Sequence, residues 1–489
     1  MYAIVPNIND KLNEKGGYNM KLEISKYLKD IKPVLNELLE ELLKEFKYVS
    51  ILATDSFGKK FIVSKNTVSI NDGAFIERGF VVKVYNGVNY SEYAFNYINK
   101  ENFNSIIEEI KKNSKNSLDD NINIYKVIDE DEVKFSKGTE IKLHPKDIGD
   151  KNILESLSKI KDEGLSLSEN VVDFRVFYEY MNVNKIFLSS KKDLEQSLMW
   201  GNGMCLCIAA DDNGNKIGTR IFSGAKGGEL LNDMNGIANE LVDETVKLLS
   251  AKKIVPGEYD VICTPDITGL IVHEAFGHGV EMDMFLKDRA KSKDFMEEYV
   301  ASDIVTMHDG AASIEETGSY FFDDEGNMAS DTIIIKDGVL KTGINDSLTA
   351  LALNEKPTGN GRRQSFDRKA YSRMTNTYIE YGNSTVEEMI KSVKYGFLID
   401  SAESGMEDPK NWWIQCIANV GKEIKDGKLT GNIFSPIIIT GYVPDLLKSI
   451  SMISSEFGTS ATGYCGKGYK EWVKVSAGGP YIKCKARLG

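Results

Sequence analysis

The residues best equipped for chemistry lie in one short segment. GLIVHEAFGHGVEMD (269–283) places His273, Glu274, His278, Glu281 and Asp283 within fifteen positions. The chain has only four histidines (His144, His273, His278 and His308), so a close pair is an uncommon coincidence. Two histidines with a glutamate beside the first can hold a metal ion that activates water, with the carboxylate as base. In the familiar metal helix the histidines are four residues apart and share a face; here they are five apart. At about 100° per residue, their side chains would point about 140° apart on a regular α-helix. One extra residue in the turn, a π-bulge, returns them to one face. Gly277 and Gly279 flank His278 and offer backbone latitude. The spacing is thus either a chance pair or a bulged metal helix. Leu270, Ile271 and Val272 would bury its base and keep bulk water away.

A catalytic zinc site ordinarily takes three protein ligands and leaves one position open. His144, in the Pro-bounded KLHPKD (142–147), reads as a surface loop residue. His308, in TMHDG (306–310), reads as a turn residue, either solvated or able to reach the site. Cys205 and Cys207 alternate with Met204, Leu206 and Ile208, which is strand periodicity and points to core packing. Cys416 reads the same way, whereas Cys263 and Cys484 are ambiguous. Cys465 differs. It sits in the glycine-rich ATGYCGKG (461–468), a loop able to bring a thiolate to a metal, with Lys467 nearby to favour that thiolate.

Elements must position these groups. Residues 1–19 read as a polar extension. Leu35, Leu38, Leu39, Leu42, Leu43 and Phe46 form one helical stripe, with Pro33 in the first turn. Residues 48–86 have strand character (YVSILAT, KKFIVS, GFVVKVY), with turns at 72–73 and 86–87. A helix at 101–113 and a surface loop at 114–150 follow. A similar order then recurs: a helix at 151–163, the strands VVDFRVFYEY, NKIFLSS and GMCLCIAA, a turn at 213–214, and a long helix at 229–250. KKFIVS and NKIFLSS hold comparable places, which suggests an internal duplication. A boundary falls near Pro256-Gly257. Beyond it strands dominate, including hairpins with Asp-Gly turns at 337–338 and 426–427. The expected architecture is α+β. An N-terminal helix/sheet domain (20–257) precedes a mostly antiparallel, β-rich domain (258–489) that carries the short metal-binding helix.

Composition narrows the functional classes. The 489 residues are 42% hydrophobic and 27% charged, an ordinary globular balance. The net charge of −13 opposes non-specific binding to nucleic acid or to an anionic membrane surface. No stretch approaches the ~20 apolar residues of a membrane span, and the first residues do not read as a signal peptide. Six cysteines are too few for a disulfide scaffold. The expectation is a cytoplasmic protein with reduced thiols.

The segment HEAFGHGVEMD also resembles the H-E-x-x-x-H-G-x-E-x-D block of the TldD/PmbA metallopeptidases. FDDEGN (322–327), PTGNGRRQ (357–364), SRMTNTYIEYG (372–382) and GYCGKG (463–468) occur in that family's order and at similar spacing. The resemblance covers roughly residues 20–480 and is strongest from 255 to 470. Together the blocks are highly specific; any one alone is weak. The resemblance implies a metal bound by His273, His278 and Cys465, zinc or alternatively Fe(II), with Glu274 as general base. It implies hydrolysis of extended or unfolded peptides, and a homodimer or a heterodimer with a motif-less PmbA-like subunit. Glu281 and Asp283 would support the ligands, or else form a solvated helix end. Arg362 and Arg363 would hold a peptide carboxylate or carbonyl, or else support the fold. Departures occur in SAESGMEDPKNWWIQCIANV (401–420), in the C-terminal VSAGGPYIKCKARLG (475–489), and at His308. Two other readings remain: a His-His-Cys amidase of deformylase-like chemistry, and a non-catalytic peptide-binding subunit of a heteromeric protease. Block order opposes the first, and the intact His/Glu/His/Cys set opposes the second.

Overall fold

The computed structural model describes residues 19–115, 124–212, 214–460, 463–468 and 470–489. The expected extension up to residue 18, and Asn213 of the expected 213–214 turn, lie outside the described residues. The architecture is α+β, with mostly antiparallel sheets.

The first sheet has eight strands among the described residues: β1 (Val49–Val63), β2 (Val68–Asp72), β3 (Arg78–Tyr85), β4 (Tyr90–Phe95), β5 (Val133–Gly138), β6 (Val171–Ser189), β7 (Lys192–Asp211) and β8 (Gly214–Gly224). Their order is β8-β7-β6-β1-β3-β4, with β2 on β1 and β5 on β7. Helices α1 (Lys26–Leu43), α2 (Phe103–Lys115), α3 (Asp150–Ser166) and α4 (Ala238–Leu248) cover one face. Ile51, Ala53, Phe61 and Val63 of β1 all enter the cores beneath these helices, because residues two apart share a side of a strand.

Several elements differ from expectation. YVSILAT and KKFIVS are not two strands but the single β1, and VVDFRVFYEY and NKIFLSS merge into β6. The two pair without a break from Ser50↔Ser189 to Val63↔Val176. The polar Asp55, Ser56 and Gly58 have the composition of a turn, yet continuous pairing with β6 carries the ladder through them. Helix α1 begins at Lys26, capped by the Ser25 side chain, so Pro33 lies mid-helix rather than in the first turn. Its buried stripe already starts at Leu28, and that packing outweighs the one hydrogen bond Pro33 cannot make. The stretch 114–150 is not all loop: β5 runs parallel to β7 within it. The helix expected at 229–250 is split into Leu230–Asp233 and α4, because Gly236 takes a φ of 80° that no helical residue adopts.

The second sheet has eleven strands among the described residues: β9 (Gly257–Cys263), β10 (Met307–Asp309), β11 (Thr332–Lys336), β12 (Val339–Leu340), β13 (Asn376–Ile379), β14 (Tyr395–Asp408), β15 (Trp413–Lys425), β16 (Lys428–Phe434), β17 (Ile437–Tyr442), β18 (Met452–Ser460) and β21 (Ser476–Leu488). A separate hairpin, β19 (Tyr464–Lys467) with β20 (Lys470–Lys474), precedes β21. Pairings β9–β14, β14–β15, β15–β17, β17–β21 and β21–β9 close a ring of five strands. Both Asp-Gly hairpins form where expected. Asp337, Gly338, Asp426 and Gly427 all have positive φ, which matches the twist of the flanking strands.

The helix-free face of the first sheet meets the second half of the chain. Leu52, Val81, Phe187 and Leu194 pack around Phe322. Charge locks the same contact. Lys83 pairs with Glu325, Lys185 pairs with Asp324, and Arg363 holds Glu92 bidentately at 2.8 and 2.5 Å. Removing one partner of a buried pair leaves an uncompensated charge, which costs about 3–5 kcal/mol when burial is complete. A quarter of the Glu92 side chain (25%) stays exposed, so Glu92→Gln should cost less, roughly 2–3 kcal/mol. Urea unfolding of that variant measures it, and an unchanged midpoint would mean that the two halves do not depend on this pair.

Candidate metal centre

The chain enters the site from β9 through helix α5 (Pro265–Leu270). Ile271–Gly277 continues α5 as a π-helix, and His278–Val280 closes it as a 3₁₀ turn. The wide turn brings the five-spaced histidines together, with ring centroids 5.3 Å apart and planes at 79°. Gly277 does not supply unusual dihedrals: its φ and ψ are −59° and −49°, ordinary helical values. Its value is small size, since a Cβ there would lie 2.1 Å from the sulfur of Met374. Glu274 packs under β14, where a Cβ at Gly405 would stand 2.4 Å from its Cγ.

Cys465 comes from β19, not from an open loop. Its Sγ lies 3.3 Å from His278 Nε2, and the ligand atoms of His273, His278 and Cys465 all fall within 4.8 Å of one another. His273, Glu274 and Cys465 line a cleft of about 380 Å³.

The electrostatics follow from burial and pairing. Burial alone would raise a thiol, as at Cys205, which is pushed up to about 12. Burial acts on Cys465 too, but His278 and His273 overcome it and hold Cys465 well below an ordinary thiol. Burial would lower His278, yet the Cys465 thiolate and Glu281 raise it well above the usual imidazole value. Glu274 is raised by burial, against the pull of both histidines. Cys465, His273 and His278 thus all shift toward their charged forms, each favouring the other against the pull of burial.

Around the ligands, fully buried Arg373 is the hub. Its Nη2 donates to Cys465 Sγ at 3.0 Å and to the Cys465 carbonyl at 2.9 Å, and its Nε donates to Glu281 Oε1 at 3.0 Å. Glu281 is buried, with Oε2 at 3.6 Å from His278 Nδ1 and 2.6 Å from Lys467 Nζ. Burial would raise Glu281, but Lys467 and Arg373 hold it well below the carboxylate range. Asp283 is also buried and pairs with Lys467 and Lys287 at 2.9 and 3.0 Å. Neither carboxylate is a solvated helix end. Lys467 faces these acids, so the cation at the thiolate is Arg373 instead.

The remaining sequence candidates lie elsewhere. Arg362 donates to the carbonyls of Met374 and Lys474, each at 2.6 Å, and Arg363 is engaged with Glu92 and the Arg368 carbonyl. His308 is on strand β10, not a turn. It stacks on Tyr378, and each ring nitrogen meets a carboxylate at 2.8 Å, from Asp331 and Glu380. It takes no part in the centre. His144 caps the short helix Pro145–Ile148 by accepting from the Lys146 amide. Cys205, Cys207, Cys263, Cys416 and Cys484 are buried in the cores.

Sequence reasoning assigned no role to Arg373 or Glu407. Arg373 sits in a block quoted for resemblance, but nothing in its spacing marks it as a buried cation. Both carboxylate oxygens of Glu407 on β14 are buried without a hydrogen-bond partner, and burial raises it well above its usual value. Its signal was lost because β14 bends over the metal helix only in three dimensions.

The donor set fits a metal ion. His273 Nδ1 is buried without a partner. Two imidazoles and a thiolate suit zinc or Fe(II), and tetrahedral zinc would separate its ligands by about 3.5 Å, close to the 3.3 Å already present between Cys465 and His278.

Residues 256–487 match the PmbA/TldA metallopeptidase C-terminal domain. A metalloprotease of Methanocaldococcus jannaschii is 27% identical over 469 residues, covering 92% of this chain and 99% of that protein. A zinc metalloprotease TldD homolog of Saccharolobus solfataricus is 32% identical over 257 residues, 52% of this chain and 56% of that one. Two solved structures share the fold at low identity. A Thermotoga maritima protein assigned as a candidate DNA gyrase modulator has TM-score 0.75 and 20% identity, over 94% of this chain and 100% of that one. TldE of Thermococcus kodakarensis has TM-score 0.71 and 18% identity, over 93% and 99%.

The site's composition sets a test by elemental analysis. Purified protein should hold about one metal ion per chain, lost in Cys465→Ala and His278→Ala and kept in Cys484→Ala. Arg373→Met should weaken metal affinity by about 10–100-fold, the usual effect of removing a group that orients a ligand. Metal loss in Cys484→Ala with retention in Cys465→Ala would identify a different thiol.

Proposed function

The chain belongs to the TldD/PmbA family, and on that premise we propose that it is a zinc-dependent peptidase acting on extended or unfolded polypeptide. The observation that supports this reading most is the convergence of His273, His278 and Cys465 beside a half-buried carboxylate, Glu274, which lines one cleft together with His273 and Cys465. Held by those three ligands, a zinc ion would supply Lewis acidity for the scissile carbonyl and lower the pKa of a water toward ~7. The chain's own residues do the rest. Glu274, raised by burial, accepts a proton from the attacking water and returns it to the leaving amine. Arg373 keeps Cys465 ionised and fixes its direction. Glu281 faces His278 Nδ1 and favours the tautomer whose Nε2 is free to ligate. Fe(II) would serve the same donors.

An extended substrate follows from how such a cleft binds: main-chain pairing with a strand edge needs no particular fold or sequence. Arg362 and Arg363 are already engaged with protein groups, so the substrate is held without them. The shared fold with TldE favours assembly as a homodimer or with a motif-less subunit of that type. Among the described residues no helix is long and apolar enough to cross a membrane.

Two measurements test the reading. Glu274→Gln should keep its metal and its fold while peptide hydrolysis falls by about 10²–10⁴-fold; near-full activity at unchanged metal content would place the base elsewhere. One polypeptide offered in native and denatured forms should be cut only when denatured, and equal rates on both would defeat the extended-substrate claim.

A further inference from the structure

The helix-free face of the first sheet does more than join the two halves. At its other end, strands β7 and β8 turn that face toward the metal centre. Met204 on β7 and Ile217, Thr219 and Ile221 on β8 line the same cleft as His273 and Glu274. Register explains the grouping: Ile221 pairs with Met204, and side chains two apart on β8 share one side. The other side of β8 is closed by α4, where a Cβ at Gly218 would lie 2.1 Å from the Thr245 hydroxyl. Ile217, 46% exposed, therefore has only the cleft to face. Leu270, one turn before His273, completes an apolar wall.

The charged residues of the cleft have one sign. Apart from the histidines, its titrating side chains are Asp266, Glu274, Glu403, Tyr464 and Cys465, and its lining contains no lysine or arginine among the described residues. Asp266 is occupied by the Ala402 amide at 2.7 Å, while Glu403 is exposed.

We propose that Met204, Ile217, Ile221 and Leu270 form a side-chain subsite that accepts an apolar residue beside the scissile bond and rejects an acidic one. This rests on the peptidase reading and names its substrate class: apolar segments, which a globular protein exposes only when it unfolds. A leucine or phenylalanine gains by leaving water against this wall. An acidic side chain against this wall would lose its hydration with no lysine or arginine in the lining to pair it, beside carboxylates of its own sign.

The test uses metal-loaded, full-length protein and Gly/Gln-rich decapeptides that carry one central Leu, Gln or Glu. Mass spectrometry should place the cut next to Leu. kcat/KM for the Leu peptide should exceed that for the Gln peptide on the order of tenfold, and that for the Glu peptide on the order of a hundredfold. Ile221→Asp should abolish the preference for Leu, Ile221→Ala should reduce it, and Thr219→Val should increase it, all at unchanged metal content. Equal cleavage of the Leu and Glu peptides would overturn the proposal, as would an Ile221→Asp protein with its preference intact. Light scattering on Ile217→Asp addresses another occupant: loss of an oligomer with the preference unchanged would make the wall a subunit interface and overturn the subsite. If metal-loaded protein cuts none of the peptides, the peptidase reading fails by itself. Calorimetric binding of the same peptides then decides the wall, since tighter binding of the Leu peptide supports it and equal binding removes it.

Discussion

A thiolate in a protein interior is stable only beside compensating positive charge, and the candidate metal centre is organised around that requirement. Cys465 is buried, His278 and His273 hold its thiol well below the ordinary value against that burial, and the fully buried guanidinium of Arg373 donates to its sulfur. Arg373 in turn needs acceptors. It finds them in Glu281 and in the carbonyls of Cys465 and Glu471. One cation thus ties the 3₁₀ end of the metal helix to the β19–β20 hairpin that carries the thiol. Buried charge of this kind contributes little net stability, because desolvation offsets attraction. Its effect is to allow few other arrangements, and so to fix the position of the ligand.

The same logic operates at the seam between the two sheets. Read alone, FDDEGN has no assigned role, and PTGNGRRQ offers two cations that either hold a substrate or support the fold. In the fold they are joints. Asp324 and Glu325 receive Lys185 and Lys83 from the first sheet, and Arg363 receives Glu92. Phe322 supplies the apolar part of the contact. The seam matters for chemistry because the cleft lies on it. One wall is the metal helix and β14, and the other is the free face of β7 and β8. Neither half alone encloses the reacting groups.

The metal helix shows how local geometry and packing cooperate. A π-helical turn is a poor arrangement in isolation, because its backbone bonds are wider and fewer. Here it is held by contacts on several sides: Met374 against Gly277, Gly405 of β14 over Glu274, and a core of Ile271, Val272, Ala275 and Phe276 beneath.

Much of this was legible without a structure. Spacing narrowed His273 and His278 to a chance pair or a bulged metal helix, since 3.6 residues per turn do not accommodate a separation of five on one face, and the π-helical turn is the second of these. Alternation marked Cys205 and Cys207 as core, and the Asp-Gly pairs at 337–338 and 426–427 marked hairpins, because these are effects of period and local dihedral preference. Other features depended on partners distant in sequence. Asp55-Ser56-Phe57-Gly58 has the composition of a turn, and only pairing with β6 makes it strand. Lys467 lies two residues from Cys465 yet faces Glu281 and Asp283, while Arg373, 92 residues away, touches the sulfur. Arg362 and Arg363 are cations in a glycine-rich run, and acceptors such as Lys474 on β20 and Glu92 on β4 come from strands that the run itself does not encode. Local sequence determines what a segment prefers and which groups could react. Which charge meets which is decided by tertiary packing, because burial selects the partners that leave no ion alone.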